Sequence, residues 1–510
     1  MKRSFTILLL SAFFLICAAG GLAAAPKGKM TYGTAGSVKT FDPHRVTGFP
    51  LGNNYPLVFD TLLFWSPEGK VIPSLAKSYR LVRPGVWEFK LRKGVKFSNG
   101  EPVDAHAVKF SLERIVNPKL KSRQISYFRS IDHVEVVDRY TARLHTKYPD
   151  MFIIAPLAQY GQIVPPKYYK SKKLKYLARH PVGSGPYRLK SWKKGVGMVY
   201  EANPNYWKPG VPRIKHVVMK VIPEPTTRVS ALAAGDVDLI DAIPPQLIKL
   251  VKGNPKLEVI AGPSPRTCML YPIIKKGTPW ADRRVRQALN YAMDKNSIVK
   301  NVLQGRASVV ATNVGPTSYG FNPDLKPYPY DPAKAKKLLA EAGYPNGFST
   351  EAWVPLGRYM GGKQVAEAIK EMLEQVGIKV NLHVVEYGFV VTKMRARWKP
   401  KIKSFLRFSC RMDSNLHSEG MYAGNIHSRS TWGGVRFKWV DKLIDDARST
   451  VDDAERVKKY RKINAMIHKE AFLGFLYQQH QIAAKKKRVD VKVRADSRLF
   501  MHLIGWKPQM

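Results

Sequence analysis

The chain has 510 residues, 45% of them hydrophobic, with 85 Lys and Arg against 38 Asp and Glu and a formal net charge of +47. That apolar content excludes a disordered chain and suffices for about three domains at roughly 150 residues each. The lysines are spread along the whole length without an RNA- or DNA-binding motif, which excludes a nucleic-acid partner from the expectation. A generally cationic surface instead favours anionic membrane headgroups or an acidic medium.

Residues 1–25 place Lys2 and Arg3 before an apolar run from Phe5 to about Ala19, followed by small residues to Ala25. This is the pattern of a secretory leader cleaved near Ala23 to Ala25. The run is shorter than the roughly 20 residues of a membrane-spanning helix, and nothing later in the chain reaches that length. Cys17 follows Leu15 and Ile16, not the small residues a lipid-anchoring site requires, so a free exported protein is expected. Losing Lys2 and Arg3 takes the charge from +47 to +45. Two cysteines then remain, Cys268 and Cys410, with two options: one disulfide, or two buried free thiols. The thiols are favoured, because nothing in the spacing indicates contact.

Downstream, MTYGTAG, FDPHR and FDTLLFWSPEGKVIPSL read as extended, turn-rich segments. In WEFKLRKGVKFSNGEPVDAHAVKFSLERI, Trp87, Phe89 and Leu91 alternate with charged partners as in a half-buried strand. Ser98-Asn99-Gly100 makes a turn, and Asp104 caps a helix carrying Ala105, Val108, Leu112 and Ile115 on one face. YRLKSW and MVYEANPNYW read as strands joined by a Lys-Gly turn. TTRVSALAAGDVDLIDA reads as a helix ending at Gly235 before a short apolar strand. Beyond Thr267 helices become frequent. In YDPAKAKKLLAEAGYP, Asp331 is an N-cap, Pro332 the first helical residue and Gly343 the stop. GKQVAEAIKEMLEQVGIKVNLHVVE gives a helix through Val365, Ile369, Leu373 and Val376, a stop at Gly377, and a strand alternating Ile378, Val380, Leu382 and Val384. Helix-then-strand units of this kind indicate an α/β lobe.

Catalytic signatures are missing: there is no GxSxG, P-loop, HExxH or Rossmann fingerprint. Gly183-Ser184-Gly185 superficially resembles a phosphate-binding turn, but Pro186 and a strand follow it, so it reads as a structural turn. Asp413, His417 and His427 lack tight ligand spacing and read as ordinary polar residues, not a metal site. No enzyme activity, metal or cofactor is expected.

Taken in order, FDPH, FDTLLFWSPEGKVIPSLAKSY, the Trp87–Ile115 stretch, PVGSGPYRLKSW, EANPNYW, DRRVRQALNYAMDK and YDPAKAKKLLAEAGY resemble blocks of the extracytoplasmic solute-binding proteins of ABC transporters. The family meant is the large one that includes dipeptide, oligopeptide and nickel binders. Three departures stand out: His106-Ala107 where the family's helix carries an acid, Ile274 where an Asn is common, and FLRFSCRMDSN, whose single acid, Asp413, has Arg407 and Arg411 beside it.

The resemblance implies an α/β fold: a bilobed periplasmic-binding-protein clamp of class II type, with mixed sheets and an additional third lobe. Its implied divisions are a signal peptide, 1–25; a discontinuous clamp lobe, 26–60 with 182–266 and 481–510; an extra lobe, 61–181; and a second clamp lobe, 267–480. It implies a periplasmic, monomeric protein that captures a short peptide or peptide-like solute in an interlobe cleft and delivers it to an inner-membrane ABC permease. A metal chelate, haem, an opine or an oligosaccharide is an alternative solute, and a cationic envelope chaperone an alternative role. Five residues are the expected ligand contacts: Arg358 for a carboxylate, Asp413 for an amine, Arg411 for a second anionic group, and Tyr359 and Trp353 as flat walls.

Overall fold

The computed structural model describes residues 25–47, 49–395, 404–430 and 432–507, so the leader read at 1–25 lies outside them except for its last residue. The architecture is mixed α/β, as the sequence implies. Its backbone is a sheet that has 11 strands among the described residues. At one end the strands Ile378–Val385, Phe348–Pro355 and Phe405–Met412 lie side by side and parallel. At the other lie Leu239–Ile240, Lys27–Thr34, Ile214–Val221, Gly197–Ala202 and Tyr187–Lys193.

Two long antiparallel strands, Leu257–Pro272 and Gly474–Lys486, belong to both ends. Residues 257–263 pair with 480–486 in the second half of the sheet, and 267–270 pair with 474–478 in the first, with a register break between Pro263 and Thr267. A proline in a strand cannot donate to the ladder, and Pro263 and Pro265 flank Ser264 at this break. Ser264 covers the gap by other bonds: its Oγ donates to the Gln479 carbonyl at 2.8 Å, and its carbonyl accepts from Gln478 Nε2 at 2.8 Å.

A separate antiparallel sheet holds Ala76–Arg83, Val86–Leu91, Thr141–Thr146 and Ile131–Asp138. The helix Ala105–Val116 packs its Val108, Leu112 and Ile115 on that sheet, in a core with Phe89, Leu91, Val134 and Leu144. It starts where the sequence implies, with Asp104 Oδ1 accepting from the Ala107 amide at 3.1 Å. The alternation read in Trp87–Leu91 is incomplete, however. Glu88 is 4% exposed, because Val86–Leu91 is an inner strand and its second face is roofed by Arg80 and Arg143, which bond Glu88 at 2.8 and 3.0 Å.

The expected strands Tyr187–Lys193 and Gly197–Ala202 form, as does the helix Pro225–Ala234, ending on Gly235 at φ 91°. Asp331 caps Pro332–Glu341, accepting from the Lys334 amide at 2.8 Å. Helix Gly362–Glu374 connects the parallel strands Phe348–Pro355 and Ile378–Val385. Gly183 and Gly185 press on the backbone of Val58, where a Cβ would sit 2.1 Å from its carbonyl oxygen and 2.5 Å from its carbonyl carbon respectively. Between them Ser184 donates to Asp60 at 2.9 Å, so this segment is a packed turn.

One expectation is overturned. Cys268 and Cys410 are joined in a disulfide across 142 residues of sequence. They stand opposite one another in the pairing of Leu257–Pro272 with Phe405–Met412, a long-range register that local spacing does not reveal.

Candidate ligand site

In mixed and parallel sheets, binding residues collect where strand C-termini and breaks in the ladder free the backbone and aim side chains outward. Here the C-terminal ends of Phe348–Pro355 and Phe405–Met412 meet the break in Leu257–Pro272: Met412 stands opposite Arg266, and the Asp413 amide donates to the Pro265 carbonyl at 2.7 Å.

The strand Phe405–Met412 sorts its side chains by period two. Leu406, Phe408 and Cys410 enter the apolar core, which leaves Arg407, Ser409 and Arg411 on the opposite face. Arg407 is 2% exposed. Its Nη2 donates to the Trp432 carbonyl at 2.6 Å and its guanidinium lies 4.7 Å from the Tyr271 ring, while its Nη1 is buried without a hydrogen-bond partner. Arg411, half-buried, lies 5.4 Å from the Trp432 ring.

The loop after Phe348–Pro355 brings Arg358 and Tyr359 alongside. Arg358 is exposed, its guanidinium 4.7 Å from the Tyr387 ring. Tyr359 packs 5.8 Å from Phe408, and its hydroxyl lies 3.2 Å from Ser409 Oγ. Arg266 is the fourth arginine. Burial, then the Arg358 charge, pushes its pKa down to about 10. Burial pushes Arg407 down to about 10 as well, and the nearby Arg411 adds to that. Among the described residues, none of these four arginines makes an ion pair, and the undescribed stretches contain no Asp or Glu.

Three arginines elsewhere in the protein differ, although Arg498, 3% exposed with its Nε unpartnered, does not. Arg448 pairs with Asp150 and Glu419, Arg114 pairs with Asp42, and Arg228 donates to four backbone carbonyls.

Asp413 is 4% exposed and has no cation against it. It accepts from Ser318 Oγ at 2.6 Å, the His417 amide at 2.8 Å and the Asn415 amide at 3.2 Å. Burial nonetheless drives its carboxyl up to about 7. Tyr127, from the short helix Ile125–Phe128, stacks on Tyr160 at 5.0 Å and feels the charges of both Arg411 and Asp413. Nearby polar atoms also lack protein partners: the Asn313 amide, Thr317 Oγ1, Asn415 Oδ1 and Gln479 Nε2.

The five sequence-selected residues are thus placed unequally. Arg358, Tyr359, Arg411 and Asp413 gather at this edge. Trp353 is 7% exposed, with its ring 4.9 Å from Phe389 and 4.9 Å from Phe405, inside a small apolar cluster with Val390 and Met394. Arg266, Arg407 and Tyr387 were not among the sequence-selected contacts. For Arg407 a signal existed: residues 407, 409, 411 and 413 share one period-two face. Arg266 carries none, since its place depends on the register break.

A turn at Ser414 and Asn415 separates Asp413 from His417. His417 caps the helix Ser418–Asn425, its Nδ1 accepting from the Glu419 amide at 3.1 Å, and His427 faces Asp441 and Asp445. Among the described residues no group of three or more His, Cys, Asp or Glu is arranged to hold a metal ion, and no helix is long and apolar enough to cross a membrane. A cavity of about 490 Å³ opens at the other end of Phe348–Pro355, lined by Tyr344, Phe348, Glu351 and Ser404 among others. Its one carboxylate, Glu351, is already bonded to Asn381 and His383, so the arginine edge carries the stronger chemistry.

Comparison with known proteins adds independent findings. The family model described as bacterial extracellular solute-binding proteins, family 5 Middle, matches residues 70–404. The glutathione-binding protein GsiB of Pectobacterium atrosepticum is 29% identical over 442 residues, covering 84% of this chain and 85% of its own. GsiB of Shigella flexneri is 29% identical over 412 residues, covering 79% and 80%. Among solved structures, the periplasmic binding protein AgaA of A. tumefaciens in complex with agropinic acid superposes with a TM-score of 0.77 at 25% identity, covering 95% of this chain and 99% of its own. DppA of Helicobacter pylori in complex with the peptide STSA gives a TM-score of 0.80 at 24% identity, covering 94% and 98%, which bears on the fold alone.

Proposed function

The chain belongs to family 5 of the bacterial extracellular solute-binding proteins and has their bilobed clamp fold, and from that membership and the site above we propose that it captures a peptide-like solute for uptake. It is a solute-binding component of an ABC importer, and its relatives are binding proteins rather than enzymes. In our reading the mature protein works in the periplasm as a monomer, catalyses nothing, and hands its solute to an inner-membrane permease. The clamp lobes are 26–60 with 182–266 and 481–510, and 267–480; residues 61–181 form the extra lobe.

Closure is proposed to pivot at the register break between Pro263 and Thr267, where the ladder joining the two halves of the sheet is interrupted. The observation that carries the reading is the unpaired charge at one edge: a guanidinium at Arg358 and a carboxyl at Asp413, neither with an opposite partner in the protein. A zwitterionic solute supplies both partners at once, its carboxylate to Arg358 and its ammonium to Asp413. Tyr359 forms an apolar wall, whereas Trp353 is packed in a separate cluster with Phe389 and Phe405.

Truncating one partner of a desolvated charge pair costs about 2–5 kcal/mol, roughly 30-fold or more in affinity. Arg358→Ala is therefore expected to weaken binding of the copurified solute at least about tenfold. Because Arg358 is exposed, the ligand-free melting temperature should stay within a few degrees. Calorimetric titration measures this, and an unchanged affinity would remove Arg358 from the site.

A further inference from the structure

A solute that satisfied only Arg358 and Asp413 would leave three cations beside it unanswered. Arg407 and Arg411 flank the Trp432 ring at 5.5 and 5.4 Å, whereas Arg358 lies over the Tyr387 ring. The edge therefore has two guanidinium platforms. At the Trp432 platform Arg407 is buried, with Nη1 unpartnered, and Ser409 lies between the two arginines on the strand face. Arg266, near Arg411, adds to the positive charge.

Holding like charges together and partly out of water is unfavourable unless an anion joins them. Rings over guanidinium faces offset part of this cost, but they leave the in-plane N–H groups unsatisfied, and these are the donors that bind a carboxylate or phosphoryl group through paired bonds. Arg448, Arg114 and Arg228 elsewhere in the protein have carboxylates or backbone carbonyls as partners, whereas Arg498, also buried, has an unpartnered Nε. A Cβ at Gly424 would lie 3.0 Å from Arg411 Nη2, so the guanidinium packs close to that backbone.

We infer that the solute carries a second anionic group, a carboxylate or a phosphoryl, seated on Arg411 and Arg407 with Arg266 alongside. This rests on the peptide-like reading above and narrows it to solutes with at least two anionic groups and one ammonium group.

The test is calorimetric titration of the mature protein with three probes: glutathione, with two carboxylates; alanyl-phosphoserine, with a carboxylate and a phosphoryl; and trialanine, with one carboxylate. Glutathione or alanyl-phosphoserine should bind at least about tenfold tighter than trialanine. Whichever of the two binds tighter identifies the second group. Arg411→Gln should bring the preferred probe to within about threefold of trialanine, and Arg266→Gln should reduce the same preference. Both side chains are half-buried, so ligand-free melting temperatures report on folding separately. Trialanine binding as tightly as the doubly anionic probes overturns the inference and leaves the peptide-like reading intact. So does a preference that survives in both variants. No binding of any probe removes the peptide-like reading, and this inference with it.

Discussion

Asp413 is a carboxyl with three donors and no cation, and burial lifts its pKa to about 7. The sign of its pH effect follows. Its folded pKa lies above the unfolded value of 3.8, so the folded state holds a proton that the unfolded chain has lost, and the carboxyl costs stability as pH rises from about 4 through about 7. Asp413→Asn should flatten that part of the ligand-free stability curve, measured as melting temperature against pH. Binding runs the other way: an ammonium needs the ionised carboxylate, so affinity for an amine-bearing solute should rise as pH increases through about 7 and level off above it. In Asp413→Asn the same titration should be weaker and nearly independent of pH. A wild-type affinity that falls over this window would exclude Asp413 as the amine's partner.

Among the elements, the disulfide is the most directly testable. It ties Leu257–Pro272 to Phe405–Met412 a few residues from the arginine edge and closes a loop of 142 residues. Chain-entropy reasoning gives a bridge of that span about 4–5 kcal/mol, and removal of native bridges typically costs about 2–5 kcal/mol. Reductant, or Cys268→Ser, should therefore lower the melting temperature by several degrees or more. Thiol labelling of the non-reduced, denatured protein should find neither Cys268 nor Cys410 free. Labelling of both would contradict the bridge.

This element also marks what was legible in the sequence. Helices announced by a local cap, such as Pro332–Glu341 behind Asp331, read directly, because the determining contacts span three or four residues. Arg358 stands out in the sequence as a guanidinium in a Gly-Arg-Tyr turn and Asp413 by its place in the resemblance, and the structure brings both to one edge. The bridge, the burial of Glu88 under Arg80 and Arg143, and the presence of Arg266 at the site all depend on which strands become neighbours across tens to hundreds of residues. Composition and periodicity do not encode that pairing. Trp353 shows the same limit, since an aromatic near a strand end reads equally as a ligand wall or as a packed core ring, and here its ring packs between Phe389 and Phe405.

For the whole molecule, the charge and the clamp are separate matters. A formal net charge of +47 for the full chain says nothing of the fold but predicts adhesion to anionic vesicles at low salt. Release should follow as the Debye length shrinks from about 30 Å at 0.01 M to about 8 Å at 0.15 M. Cosedimentation across that range measures it, and adhesion indifferent to salt would indicate a hydrophobic contact instead. The function proposed for the clamp turns on four arginines and a carboxyl that the protein leaves without opposite charges at the edge beside its register break. Native mass spectrometry of the mature protein, isolated from the periplasm without refolding, tests that account most directly. It predicts one solute of a few hundred daltons per wild-type chain, carrying two anionic groups, and a bare chain for the Arg358→Ala, Arg411→Gln double variant prepared in the same way. A bare wild-type chain, or the same adduct on both proteins, would contradict it.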